Sequence, residues 1–167
     1  MNSKIILGID PGLNITGFGL IRVFEKNSPQ LIDYGHIRTN VKNSLSERIH
    51  HIFTNLNLLI SKSNADVIAI EDLFYASNVK TAIVLGHARG AAIVAAMENK
   101  LKVFEYSPRE VKMSVVGNGA AVKSQVQFMV RSILKLKENI SPMDASDALA
   151  VALCHWNRMK MENLTHV

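Results

Sequence analysis

The sequence predicts an α/β fold in which three strands come first and helices then alternate with two more strands. Three observations carry this reading. Short β-branched runs stop at turn residues or acids, and longer stretches repeat apolar residues at helical spacing behind recognisable caps. No repeat or linker divides the 167 residues, 48% of them hydrophobic and 20% charged, which is the size and composition of one ordinary domain and excludes disordered or low-complexity classes. The predicted order is β-β-β-α-β-α-β-α-α-α.

Residues 4–9 form a buried strand that enters a turn at Asp10-Pro11-Gly12. Residues 15–24 and 31–39 read as two strands around the turn Lys26-Asn27-Ser28-Pro29, so the first three strands make an antiparallel meander. Ser44 and Glu47 have capping-box spacing, and Ile49, Ile52, Phe53, Leu56 and Ile60 continue an amphipathic helix to about residue 63. The run DVIAI at 66–70 is another strand, stopping at Glu71-Asp72. A helix rich in small residues follows over 78–99, then a strand over 101–106. Ser107-Pro108-Arg109-Glu110 opens the next helix, with serine as cap and proline in the first turn, and Gly117-Asn118-Gly119 breaks it. A basic helix is expected over 123–137. Ser141-Pro142 then caps a last helix reaching about residue 159, and roughly the last ten residues are expected to form a loose tail.

The formal charge is +5, and all of it lies within residues 102–137, which hold seven bases and two acids; the other residues balance at twelve of each. A basic segment of this kind suits an anionic partner such as nucleic acid. The lone Cys154 excludes an internal disulfide, and no Cys/His spacing suggests zinc. The first residues do not read as a signal peptide. The most apolar stretch, 81–97, is interrupted by His87 and Arg89, so no membrane span is expected. These features together predict a cytoplasmic protein.

Four acids stand where elements end. Asp10 closes the first strand and Glu71 the fourth, while Asp144 and Asp147 share a face in the first turns of the last helix. If the first and fourth strands are neighbours, a helix across their ends gathers all four. Hard carboxylate oxygens suit Mg²⁺ or Mn²⁺, and two such ions about 3.5–4 Å apart serve phosphodiester hydrolysis. No base stands beside Asp144 or Asp147 in the sequence, so the cluster is expected to repel itself unless a cation fills it. Each acid alone also has an ordinary reading, as a turn initiator, a surface acid or a favourable charge at a helix start.

Ile6-Leu7-Gly8-Ile9-Asp10-Pro11-Gly12 with Thr16-Gly17 resembles the first-strand motif of the RuvC family of Holliday-junction resolvases. Ala69-Ile70-Glu71 with Phe74 is similar to its second acidic motif. Leu85-Gly86-His87-Ala88-Arg89-Gly90, Val103-Phe104-Glu105-Tyr106, Val111-Lys112, Lys123-Ser124-Gln125 and Asp144-Ala145-Ser146-Asp147-Ala148 follow in the family's order. The resemblance implies a ribonuclease H-like fold, with a mixed five-stranded sheet of three antiparallel and two parallel strands flanked by helices. It also implies a Mg²⁺-dependent homodimeric endonuclease, with two ions per site, that nicks opposing strands of a four-way DNA junction beside the RuvA and RuvB branch-migration proteins. By the same resemblance Asp10, Glu71, Asp144 and Asp147 are catalytic and metal-binding, Lys112 and Lys123 hold DNA, and Phe74 contacts junction bases. His87 and Ala120 depart from the family's commoner residues.

Within the basic segment, Lys112, Lys123, Arg109 and Arg131 are the expected phosphate contacts, because neutralised phosphates release counterions. Lys135 and Lys137 read as a solvated helix face. Gly86 and Gly90, four apart with His87 between them, suggest a close helix contact in a two-fold dimer, although packing on the protein's own sheet is the plainer reading. Two other functions share some of these features. Gly8-Ile9-Asp10-Pro11-Gly12 with Thr16-Gly17 also resembles a phosphate-binding turn of sugar-kinase or actin-like ATPases. A junction-binding protein without catalysis is the third possibility, which the complete carboxylate set disfavours.

Overall fold

The computed structural model describes residues 3–25, 27–72 and 79–165. Its elements are β1 (Ser3–Asp10), β2 (Ile15–Phe24), β3 (Gln30–Arg38), α1 (Leu45–Ser63), β4 (Val67–Glu71), α2 (Val79–Glu98), β5 (Lys102–Tyr106), α3 (Pro108–Val116), α4 (Lys123–Ile133) and α5 (Met143–Thr165). The expected order holds throughout. The strands form one sheet in the order β3-β2-β1-β4-β5. β1 pairs antiparallel with β2, and β2 with β3, while β4 lies parallel to both β1 and β5.

Strand alternation divides the apolar residues between the two faces of the sheet. Leu7, Ile9, Ile68 and Ile70 pack with Ile52 and Leu56 of α1 and with Ala88, Ala92 and Ala95 of α2. Ile6, Ile21 and Ala69 pack on the opposite face with Val111 of α3, Val126 and Val130 of α4, and Leu149 and Leu153 of α5. Both capping boxes form as the sequence predicts: the backbone N–H of Ser44 donates to Glu47 at 2.7 Å, and that of Ser107 to Glu110 at 2.8 Å.

Two helix ends differ from expectation. α4 stops at Ile133 rather than near residue 137 because Lys135 adopts a left-handed φ of 55°. The Leu136 amide then donates to Arg131 O at 2.9 Å and the Lys135 amide to Ser132 O at 3.2 Å, the paired bonds of a Schellman ending. A lysine in a position usually held by glycine gives no stop signal. α5 continues to Thr165, beyond the expected end near residue 159. By length and composition alone α2 is long and apolar enough to cross a membrane. Its face at Ala88, Ala91, Ala92, Ala95 and Ala96 is buried against α1 and the sheet.

Candidate active site and nucleic-acid surface

β1 and β4 run in the same direction with Ile9 beside Ile70, so one step further on stand Asp10 and Glu71. Counting by twos from Ile6 and Ala69, both of which face α3, α4 and α5, puts both acids on the α5 side of the sheet.

α5 crosses this side at very close range. A Cβ at Gly8 would fall 2.0 Å from the Ala148 carbonyl oxygen, one at Gly17 2.0 Å from the Asp144 carbonyl oxygen, and one at Gly19 2.4 Å from Leu149 Cγ. Gly17 is the cross-strand partner of Asp10, and Gly19 that of Gly8. These glycines are a bare track on which α5 rests, and they set Asp144 over the strand position next to Asp10. The sequence reading takes Gly8 and Gly17 as motif residues only. Glycine at alternate positions of a strand is the available signal of such an approach.

The acids act strongly on one another. Burial first, then the charges of Glu71, Asp147 and Asp144, push the Asp10 carboxyl up to about 8 against the opposing pull of Lys123. Glu71 is also raised, by burial and by Asp147, while a hydrogen bond with Asp10 and the charges of Lys123 and Lys112 work in the other direction. Among the described residues, no three His, Cys, Asp or Glu side chains already converge as a ready-made metal-binding group. The donors are nevertheless all carboxylates, and the charge that raises Asp10 and Glu71 calls for a compensating cation. In donor chemistry and in charge the four acids fit a hard divalent ion.

Lys123 revises the expectation of a cluster without a base. Although 24 residues from Asp147 in sequence, its Nζ donates to Asp147 Oδ2 at 2.7 Å. This hydrogen bond raises the lysine's own pKa. Lys112, on α3, is close enough to lower Glu71, so two of the four expected phosphate contacts, Lys112 and Lys123, border the acids. Arg109 is exposed in the first turn of α3, its side chain lying over Gly119 in the loop before α4. Arg131 stands apart: it is about 12 Å along α4 from Lys123, with its guanidinium 5.4 Å from the Phe128 ring centroid. Phe74 lies outside the described residues.

The turn after β1 does not present a phosphate ligand of the ATPase type. Thr16 is fully buried, and its hydroxyl donates to Gly12 O at 2.8 Å, closing the turn on itself.

On α2, Gly86 and Gly90 face open space among the described residues, none of which comes within 4 Å of a Cβ built at either. They do not pack on the protein's own sheet, which removes the plainer sequence reading. With Ile83, Val94 and Met97, all exposed, they form an outward apolar stripe at spacings of three and four. His87 is half-buried, and its Nδ1 has no hydrogen-bond partner among the described residues. His155 and Trp156 are buried on α5. His155 Nδ1 lies 2.6 Å from the Tyr106 hydroxyl, and burial lowers the imidazole to about 4.

Residues 6–155 match the family model described as crossover junction endodeoxyribonuclease RuvC. The chain is 48% identical over 151 residues to the crossover junction endodeoxyribonuclease RuvC of Alkaliphilus oremlandii, covering 90% of this chain and 92% of that one. Among solved structures, Thermus thermophilus RuvC superposes with a TM-score of 0.87 at 33% identity, covering 95% of this chain and 96% of its own. T. thermophilus RuvC in complex with Holliday junction substrate superposes with a TM-score of 0.90, at the same identity and coverage.

Proposed function

Because the chain belongs to the RuvC family of crossover junction endodeoxyribonucleases, we propose that it resolves four-way DNA junctions by paired, metal-dependent nicks made by a homodimer. The observation that carries this reading is the gathering of Asp10 and Glu71, at adjacent parallel strand ends, under the helix that bears Asp144 and Asp147.

Asp10, Glu71, Asp144 and Asp147 are the residues that would hold the metal, Mg²⁺ or Mn²⁺, two ions to a site. When bound, such a pair stabilises the attacking and leaving oxygens of an in-line displacement at phosphorus. The protein's own groups prepare that reaction. The glycine track fixes α5, and with it two of the carboxylates, on a rigid sheet. Asp10 and Glu71 are raised when no cation offsets them, so a bound cation would favour their ionised, ligating form. Lys123 and Lys112 supply positive charge beside the carboxylates, where the scissile strand's phosphates pass. Arg109 extends that surface along α3, and Arg131 extends it along α4. Phe74, following the Glu71 strand in sequence, is assigned to the junction bases by the family motif.

A second copy docking on the α2 stripe would present two active sites to opposing strands, as a near two-fold junction requires. The bare Gly86 and Gly90 permit close helix approach, and His87 lies beside them. In the cytoplasm, the RuvA and RuvB branch-migration proteins are the partners this reading implies.

The test is a time course with an end-labelled four-way junction, with and without Mg²⁺. Symmetric nicks in opposing strands that appear only with the metal are expected. Metal-independent cleavage, random degradation or intact junction contradicts the reading.

A further inference from the structure

Arg89 joins the outward face of α2 to the strand that carries Glu71. Its neighbour Gly90 belongs to the exposed stripe and Ala88 to the buried face, so Arg89 leaves α2 from the flank between them. Its Nη2 lies 3.2 Å from Asp72 Oδ1 and 2.6 Å from Glu105 Oε1. Asp72 directly follows Glu71, and its backbone N–H donates to Tyr106 O at 2.8 Å, continuing the β4–β5 pairing one residue past Glu71. Glu105 stands opposite Ile70, the residue before Glu71. The guanidinium therefore holds residues on both sides of the Glu71 position, Asp72 just past the end of β4 and Glu105 on the neighbouring β5.

We propose that Arg89 is a positioning residue that fixes Glu71 and couples its placement to whatever covers the α2 stripe. The proposal rests on the reading that Glu71 is catalytic and that a second copy docks on α2. Asp72 and Glu105 lie more than a third exposed and Arg89 about a quarter, so the ion pairs are dispensable for the core. Their use is geometric: a shift of α2 on docking reaches the end of β4 through one charged nitrogen. Because a single nitrogen, Nη2, serves both carboxylates, a lysine ammonium is able to replace it in part, unlike at a bidentate site.

The test compares full-length Arg89→Gln, Arg89→Lys and Glu71→Gln with the wild type. Nicking is measured in single turnover at saturating junction and Mg²⁺, junction affinity by titration, and dimerisation by sedimentation. Arg89→Gln is expected to slow nicking roughly ten- to a hundredfold, the cost of a misplaced catalytic group, with dimerisation and junction affinity unchanged. Arg89→Lys restores most of the rate. Wild-type nicking by Arg89→Gln overturns the proposal, as does a loss that follows loss of dimer or that lysine does not repair. If Arg89→Gln does not fold, Glu105→Gln, which keeps the Asp72 contact, must show a smaller loss of rate at unchanged affinity, and no loss overturns the proposal. Abolition of nicking by Glu71→Gln upholds the catalytic assignment whatever Arg89 does, and full nicking by Glu71→Gln overturns that assignment itself.

Discussion

The Lys123 ammonium donates a 2.7 Å hydrogen bond to the Asp147 carboxylate, tying the first residue of α4 to the acid-bearing face of α5. Asp147 is largely buried and Lys123 largely exposed, their side chains being 14% and 70% accessible. The acid is thus fixed while the base reaches out to solvent, where a DNA phosphate is able to compete for it. One lysine offsets part of the charge of four acids, and Asp10 remains raised to about 8 despite it.

That imbalance predicts how the metal-free protein responds to pH. Asp10 ionises near 4 when unfolded and at about 8 when folded, so the folded state holds its proton more tightly. The stability this contributes is full below about 4 and is lost as pH rises through about 8. Buried His155, lowered to about 4, changes stability only below its unfolded value near 6.5, which leaves pH 6.5–8.5 clear of it. In chelator, the melting temperature is expected to fall across that window, and Asp10→Asn to remove most of the fall. Calorimetry of both proteins checks this; a flat wild-type profile contradicts it.

The glycine track predicts opposite outcomes for two alanine substitutions. Gly17→Ala drives a methyl group into the Asp144 carbonyl, where neither sheet nor helix is able to yield, and overpacking costs about 1–3 kcal/mol. Nicking is expected to fall further than stability does, because Asp144 moves with α5. Gly86→Ala meets open space in a helix and is expected to stabilise the monomer slightly, by up to about 1 kcal/mol. Denaturant unfolding of the two variants, with nicking rates alongside, decides the comparison.

The outward stripe predicts that charge on α2 separates the protomers. Val94→Glu places a carboxylate on an exposed apolar position, so the fold is expected to keep its melting temperature within about 2 °C, a shift of about 0.5–1 kcal/mol at this size. Sedimentation should then show a monomer, and paired nicking should be lost in favour of single nicks. A dimer of unchanged affinity places the contact elsewhere.

Much of the site was legible because its signals are local. Asp10 and Glu71 each end an apolar strand, and the spacing of Asp144 and Asp147 alone puts them on one face. The rest depends on contacts between distant segments. Lys123 meets Asp147 only after α3, α4 and α5 pack together, and no spacing rule links residues so far apart. The close seat of α5 depends on register, which sets Gly17 beside Asp10 and Gly19 beside Gly8. The early end of α4 turns on Lys135 adopting a backbone conformation its residue type does not signal. Arg89 sat inside a motif read for its glycines, and its role needed the ends of β4 and β5 in place.

The central claim is that the carboxylates beneath and on α5 perform the chemistry while the surrounding bases hold the junction. Asp144→Asn tests it most directly, since it removes one charge without changing side-chain size. Junction binding and Mg²⁺-dependent nicking are measured on the same preparation. The variant is expected to bind the four-way junction as tightly as the wild type and to nick it at least about a thousandfold more slowly, a loss of about 4 kcal/mol of transition-state stabilisation. Undiminished nicking by Asp144→Asn would contradict the account.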